Sequence, residues 1–319
     1  MQKIILTVGP ALGQKVSLQE VHTSKNIYRI NGAHGSIADI ERTILHIREQ
    51  IKDAEILLDL PGNKIRTANM PTSIPVRKGE SFTLRCDQFN YPDYYQHIQP
   101  GMTVWANDSI FEFIVQEVSA EQITFLSKSD GELLNNKGMH VRGIHERIPY
   151  LFAKDRALID LCNKHQLTYI GLSFVRSAQN VQEVLQLLSP EIKVISKIET
   201  LDAVNQLHDI LKLVEYILID RGDLSTEVDL VKVPRFQKYI IDTARYNNVK
   251  VFVATQVLKN MEDKPIPTIA EIDALYNLLK LGVYGIQMSE ETAVGHYVPQ
   301  CVQMLERMHQ EVNSELITL

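Results

Sequence analysis

Short apolar runs, each bounded by polar or glycine-containing turns, recur at residues 3–8, 26–30, 55–60, 169–172, 193–197, 216–219, 251–254 and 285–288. Runs of this length and setting predict buried strands. Most of the gaps between them carry apolar residues at helical spacing. In SIADIERTILHIREQI, residues Ile37, Ile40, Ile44, Ile47 and Ile51 repeat every three or four positions, and Ser36 with Asp39 resembles a capping box. Thr268 and Glu271 in TIAE mark another helix start, just after Pro265 and Pro267, which a helix interior excludes. Eight buried strands alternating with helices predict an α/β fold, a (β/α)8 TIM barrel.

One region breaks the rhythm. From residue 67 to 148 no helix of useful length is readable, whereas SFTLRC, TVWAND, IFEFIVQEV and QITFL are strand-like. The expected organisation is a catalytic barrel from residues 1–66 and 149–319, with residues 67–148 inserted after the third strand as a small β-barrel lid domain. An insert there leaves the barrel at its catalytic end, where closure over a substrate excludes water. A chain of 319 residues accommodates both parts.

Composition narrows the function classes. No apolar run approaches the roughly 18 residues of a membrane span, and MQKIILTVGP enters a strand without a secretory signal, so a cytoplasmic location is expected. Cys86, Cys162 and Cys301 are far apart and odd in number, which argues against a disulfide framework or a zinc site. A net charge of −6 without a concentrated basic stretch argues against nucleic acid as a partner but leaves a local phosphate pocket open. There is no G-x-x-x-x-G-K-[ST], no G-x-G-x-x-G and no nucleophile elbow.

Barrel chemistry lies at the C-terminal ends of the strands. Those ends offer Thr7 and Gly9; Arg29 and Asn31; Asp59, then Lys64 and Arg66; Ser173 and Arg176; Lys197 and Glu199; Arg221 and Asp223; Thr255 and Gln256; Ser289 and Glu291. Taken singly, each is well explained as a solvated or ion-paired group at a strand end. As a set they suggest more. Strand alternation puts Lys197 and Glu199 on one face of VISKIET. Glu199 and Asp223 suit Mg²⁺, which takes carboxylate oxygens together with substrate oxygens. Arg29, Arg66 and Lys197 add a positive cup of the kind phosphoryl transfer needs, and Gly222 leaves backbone N–H groups open to an anion. Thr255 at the end of VFVAT is placed to orient a proton-carrying water.

Longer motifs are more specific. TVGPA (7–11), RINGAHG (29–35), LDLPGNKIRT (58–67), NDSI (107–110), NNKG (135–138), AKD (153–155), SFVR (173–176), ISKIET (195–200), RGDL (221–224), ATQVLKNM (254–261), KPIPTIAE (264–271) and MSEETAVGHY (288–297) follow one another along nearly the whole chain. In kind and order they resemble the pyruvate kinase family. The resemblance implies transfer of phosphate from phosphoenolpyruvate to ADP, giving pyruvate and ATP, with Mg²⁺ (or Mn²⁺). It implies that Lys197, Arg66 and Arg29 act on the moving phosphoryl group and that Glu199 and Asp223 hold the metal. Gly222, Asp223 and Thr255 would hold the substrate carboxylate and the proton-delivery network. Pro10, His34, Asn31 and Lys154 would lie near the nucleotide, with Asp108 on the lid.

The departures matter too. The family's potassium site uses the positions of Asn31, Ala33, Asp59 and Leu60, but Ala33 replaces a serine and Lys64 stands where potassium-dependent members carry glutamate. A lysine there can supply the ion's charge, so K⁺ is expected not to be required. Asp220 replaces a small residue, Glu290 replaces glycine, and Ile266 and Ile269 replace arginines near subunit contacts. The chain stops after VQMLERMHQEV, so the family's regulatory domain, and sugar-phosphate control with it, are expected to be absent; a homo-oligomer stays open. Two alternatives remain. One is a metal-dependent barrel enzyme acting on enolpyruvate or oxaloacetate, by decarboxylation or with another phosphoryl acceptor, which Asp220 and Glu290 favour. The other is a noncatalytic sensor of phosphoenolpyruvate.

Overall fold

A computed structural model describes residues 2–107, 110–141 and 143–318. All eight expected strands form: Lys3–Thr7, Asn26–Asn31, Glu55–Leu60, Tyr169–Leu172, Lys193–Lys197, Tyr216–Asp220, Lys250–Ala254 and Gly285–Met288. They pair in parallel and close into one barrel, the last strand hydrogen-bonding to the first. The third strand pairs with the fourth in the register Leu57↔Tyr169, although the insert separates them in sequence.

The barrel interior is layered. Ile5, Ile27, Leu57, Tyr169, Ile195, Tyr216, Leu218, Phe252 and Ala254 form one buried apolar cluster. Side chains two residues apart on a strand share a face. Two residues after Ile5, Ile27, Leu57, Ile195 and Leu218 come Thr7, Arg29, Asp59, Lys197 and Asp220, so a polar layer sits directly above the apolar one. The corresponding residue after Tyr169 is Gly171, which leaves room for its larger neighbours.

Helices cover the outside as their caps predict. Ser36 and Asp39 close a reciprocal capping box on Ile37–Gln50, which buries Ile40, Ile44 and Ile47, and Thr268 with Glu271 does the same for Ile269–Lys280. The C-terminal helix Val298–Thr318 carries His309, which is 1% exposed and has no hydrogen-bond partner on either ring nitrogen among the described residues. Burial, with a smaller contribution from Lys25, pushes the imidazole down from 6.5 to about 4. Below pH 6.5 the unfolded chain therefore binds a proton that the folded chain refuses, and stability falls as pH drops toward 4. Between pH 7 and pH 5 this single group costs about 2 kcal/mol. His309→Leu is expected to shrink the acid-induced loss in denaturant midpoint by that amount; an unchanged pH dependence would refute the assignment.

The chain folds into two compact units, Met1–Pro61 with Lys154–Leu319, and Gly62–Ala153. The boundaries expected at 66/67 and 148/149 move outward because the connecting segments join the insert's own structure. Ile65 and Phe152 lie in its apolar core, Phe152 stacks on Tyr91 at 4.8 Å, and Arg66 bridges to Gly138. The expected small β-barrel is instead a five-stranded antiparallel sheet with a separate two-stranded ribbon, Ile74–Val76 with Gly131–Leu133. One edge strand of the sheet, Met139–His140, is two residues long and pairs with Thr103–Ala106. Cys86, Cys162 and Cys301 are buried free thiols. Among the described residues no helix is long and apolar enough to cross a membrane.

Candidate active site

The polar layer converges on Lys197, the last residue of the fifth strand and 4% exposed. Its Nζ lies 3.0 Å from Glu199 Oε2 and 3.5 Å from Asp220 Oδ2, and it donates to Ser173 Oγ at 3.3 Å. Glu199 is fully buried. Its Oε1 accepts from the Phe174 N–H at 2.7 Å, while Oε2, close to the lysine, accepts no hydrogen bond among the described residues. Carboxylate oxygens of Glu199, Asp220 and Asp223 all lie within 4.8 Å of one another.

A second buried pair stands in the same layer. Arg29 Nε donates to Asp59 Oδ2 at 2.7 Å, and another guanidinium nitrogen donates to Thr7 Oγ1 at 3.0 Å. The Thr7 hydroxyl in turn donates to the Met288 carbonyl at 2.8 Å. Gly171 makes this arrangement possible, since a Cβ there would stand 1.8 Å from Asp59 Oδ1.

Charge is unevenly compensated. Burial opposes the charge on Lys197, but Glu199 and Asp220 outweigh it and hold the ammonium firmly protonated. Burial likewise opposes the charge on Arg29, and Asp59 outweighs it. Asp220 is buried, yet Lys197, Thr255 and Arg29 keep its carboxyl below the usual range. Glu199 carries the remainder: burial raises it, Lys197 only partly offsets that, and Asp223 and Asp220 raise it further, to about 8. One lysine among three acids leaves room for more positive charge.

Asp220 ends the sixth strand and caps the helix Arg221–Glu227. Its Oδ1 accepts from the Thr255 hydroxyl at 2.5 Å and from the Gly222 N–H at 3.2 Å. Thr255 has a left-handed backbone, φ +71°, unusual for a β-branched residue. The chain holds it from both sides, because Arg221 Nε donates to the Thr255 carbonyl at 3.1 Å while the hydroxyl binds Asp220. A Cβ on Gly222 would stand 2.8 Å from Thr255 Cγ2, so glycine is needed for this approach.

The expected residues thus separate into groups. Lys197, Glu199, Asp220, Asp223, Gly222 and Thr255 come together, and Arg29 with Asp59 lies in the same barrel layer. Lys154 Nζ donates to the carbonyls of Ala33, at 3.3 Å, and Gly35, at 2.9 Å, on either side of exposed His34, whose N–H donates to the Asn31 carbonyl. Pro10 is exposed in a turn tied to the last strand's loop through Ala11 N–H and the Ala293 carbonyl. Lys64 and Arg66 belong to the second unit, where the Arg66 N–H donates to Asn90 Oδ1 at 2.8 Å. Asp108 lies outside the described residues.

Three strand-end groups have local partners instead. Arg176 pairs with Asp202 at 3.2 Å and Glu227 at 3.3 Å, Arg221 turns to backbone carbonyls, and Glu291 Oε2 accepts from the Ser289 N–H. Sequence reasoning does not single out Gly171; a glycine inside an apolar strand signals a close approach, but its partner is visible only in the folded register Gly171↔Asp59.

The chain has relatives among known proteins. The family model for the pyruvate kinase barrel domain matches residues 1–302. The chain is similar to the pyruvate kinase of Thermotoga maritima, at 30% identity over 98% of this chain and 71% of that protein. It is similar also to the pyruvate kinase of Thermococcus litoralis, at 32% over 96% and 68%, and to that of Borreliella burgdorferi, at 29% over 98% and 68%. The chain belongs to the pyruvate kinase family of phosphotransferases.

Proposed function

We propose that this chain transfers a phosphoryl group from phosphoenolpyruvate to ADP, giving pyruvate and ATP, with a divalent metal and without need of K⁺. The observation that carries this reading is the buried lysine at the centre of the polar layer, Lys197, paired with Glu199 and Asp220, whose carboxylate oxygens cluster with those of Asp223. The acids fit a divalent cation on two counts: the donors are all hard carboxylate oxygens, and Glu199 Oε2 is buried without a hydrogen bond. Glu199 and Asp223 would hold Mg²⁺ (or Mn²⁺), which supplies positive charge to the oxygens of the transferring group.

The chain's own residues do the rest. Lys197 and Arg29 stay charged in a buried setting, where stabilisation of growing negative charge is worth more than in water. The phosphorus–oxygen bond to the enol breaks as a bond to the terminal ADP oxygen forms, and the enolate carbon then takes a proton. The hydroxyl of Thr255, held by its backbone, belongs to the network that delivers it. The N–H groups at Gly222 and Asp223 are assigned to the substrate carboxylate, and Pro10, Asn31, His34 and Lys154 to the nucleotide. K⁺ independence is supported by the pairing of Asp59 with Arg29 and of Asn31 Oδ1 with the Ala33 N–H at 3.1 Å, which satisfies two potassium-site oxygens internally.

Incubation with phosphoenolpyruvate, ADP and Mg²⁺ is expected to yield ATP and pyruvate in equal amounts, lost on chelation of the metal and the same in K⁺ as in Na⁺ at constant ionic strength. Pyruvate without ATP would move the assignment to the second reading, another phosphoryl acceptor or decarboxylation, which Asp220 favours through the negative charge it adds beside Lys197.

A further inference from the structure

We propose that Asp220 is a specificity-determining residue whose carboxylate occupies the seat of the substrate's carboxylate; this rests on the assignment of Gly222 and Thr255 to that seat. Its Oδ1 takes the Gly222 N–H at 3.2 Å and the Thr255 hydroxyl at 2.5 Å. Its Oδ2 lies 3.5 Å from Lys197 Nζ. One side chain, 9% exposed, therefore spans the carboxylate donors and the lysine assigned to the phosphoryl group, as a small anionic substrate would.

Helix capping alone does not account for this. An N-cap needs one backbone donor from the first turn, and the Gly222 N–H supplies it. The Thr255 hydroxyl and the Lys197 ammonium come from two other strands, and both turn to the same carboxylate. Nor does packing demand an acid: the neighbouring seventh strand ends at Ala254, directly opposite Asp220 in the register.

Phosphoenolpyruvate entering this seat must displace the Asp220 carboxylate from its donors and set a second negative charge beside it. Selectivity of this kind works by placing an unfavourable group against the wrong ligand. Asp220 thus weakens the binding of phosphoenolpyruvate.

Asp220→Ala and Asp220→Ser test this, the serine keeping a side-chain cap in case the alanine variant folds poorly. Binding of phosphoenolpyruvate and, separately, of inorganic phosphate is measured by calorimetry with Mg²⁺, and KM values for phosphoenolpyruvate and ADP are taken from the coupled release of pyruvate and ATP. The expected result is that phosphoenolpyruvate binds about tenfold tighter in a folded variant, about 1.4 kcal/mol. Inorganic phosphate and the KM for ADP should change less than twofold. Phosphoenolpyruvate binding no tighter than in wild type overturns the proposal, and so does an equal gain for phosphate, which would reflect lost charge rather than a vacated seat. If variants bind phosphoenolpyruvate tighter yet no form makes ATP, the seat stands and the transfer reading falls; if wild type makes ATP and the variants gain nothing, the reverse holds.

Discussion

Lys197→Met is expected to lower the rate of ATP formation about a thousandfold and to lower the melting temperature as well. The rate effect follows from removing a fixed positive charge aimed at the transferring group, where one such partner is typically worth roughly 10²–10³. The stability effect comes from the acids left behind. Lys197 is the cation within 3.0 Å of Glu199 and 3.5 Å of Asp220, both buried. Removing one member of a buried ion pair costs about 3–5 kcal/mol because the remaining charge keeps its desolvation penalty, which corresponds to roughly 10 °C. Methionine fills the volume, so the loss is not a cavity effect. Mg²⁺ should then raise the melting temperature of the variant more than that of wild type, since an ion binding only the folded acids stabilises by mass action. Calorimetric scans with and without Mg²⁺, beside initial rates, check both parts. A variant that melts like wild type and responds equally to Mg²⁺ would mean that Lys197 does not neutralise these acids.

The barrel is legible in the sequence because a strand buried on both faces must be apolar along its length, which leaves short runs that polar turns punctuate. Helix starts are legible for an equally local reason: Ser36 with Asp39 and Thr268 with Glu271 satisfy each other's backbone within one turn. The converging acids and lysine can be anticipated from strand alternation, since Lys197 and Glu199 share a face whatever the neighbouring strands do.

Contacts between strands cannot be read that way. Asp220 is visible in the sequence as one more negative charge, but its bond to Thr255 depends on the sixth and seventh strands lying side by side. Arg176 and Arg221 look equivalent to Arg29 at their strand ends. Only Arg29 lies in the inward polar layer, whereas Arg176 meets Asp202 and Glu227, and Arg221 meets the carbonyls of the next strand's loop. The insert's limits escape sequence reasoning for a similar cause. Ile65 and Phe152 have no local signal of which core they join, and tertiary packing decides it.

Gly171→Ala is expected to be as damaging as loss of a charged residue, although it adds one methyl group. The new Cβ would stand 1.8 Å from Asp59 Oδ1 and 2.9 Å from its Cγ, so the carboxylate must swing away. Arg29, 8% exposed, would then lose the partner that holds Nε at 2.7 Å, and a buried guanidinium without its carboxylate costs about 3–5 kcal/mol. Thr7, which accepts from the same guanidinium, would feel the shift, and activity should fall with stability. A double-mutant cycle separates this route from a general intolerance of side chains at position 171. Asp59→Ala removes the atoms that the methyl would strike, so adding Gly171→Ala to it should cost far less than the two changes summed. The contact at 3.4 Å to Leu57 Cδ1 is ordinary van der Waals distance and survives in the double variant. Denaturant midpoints of the four proteins measure the coupling. Additive losses would show that the glycine serves the strand's backbone, while a strong coupling would show that it holds open the space in which Asp59 fixes Arg29.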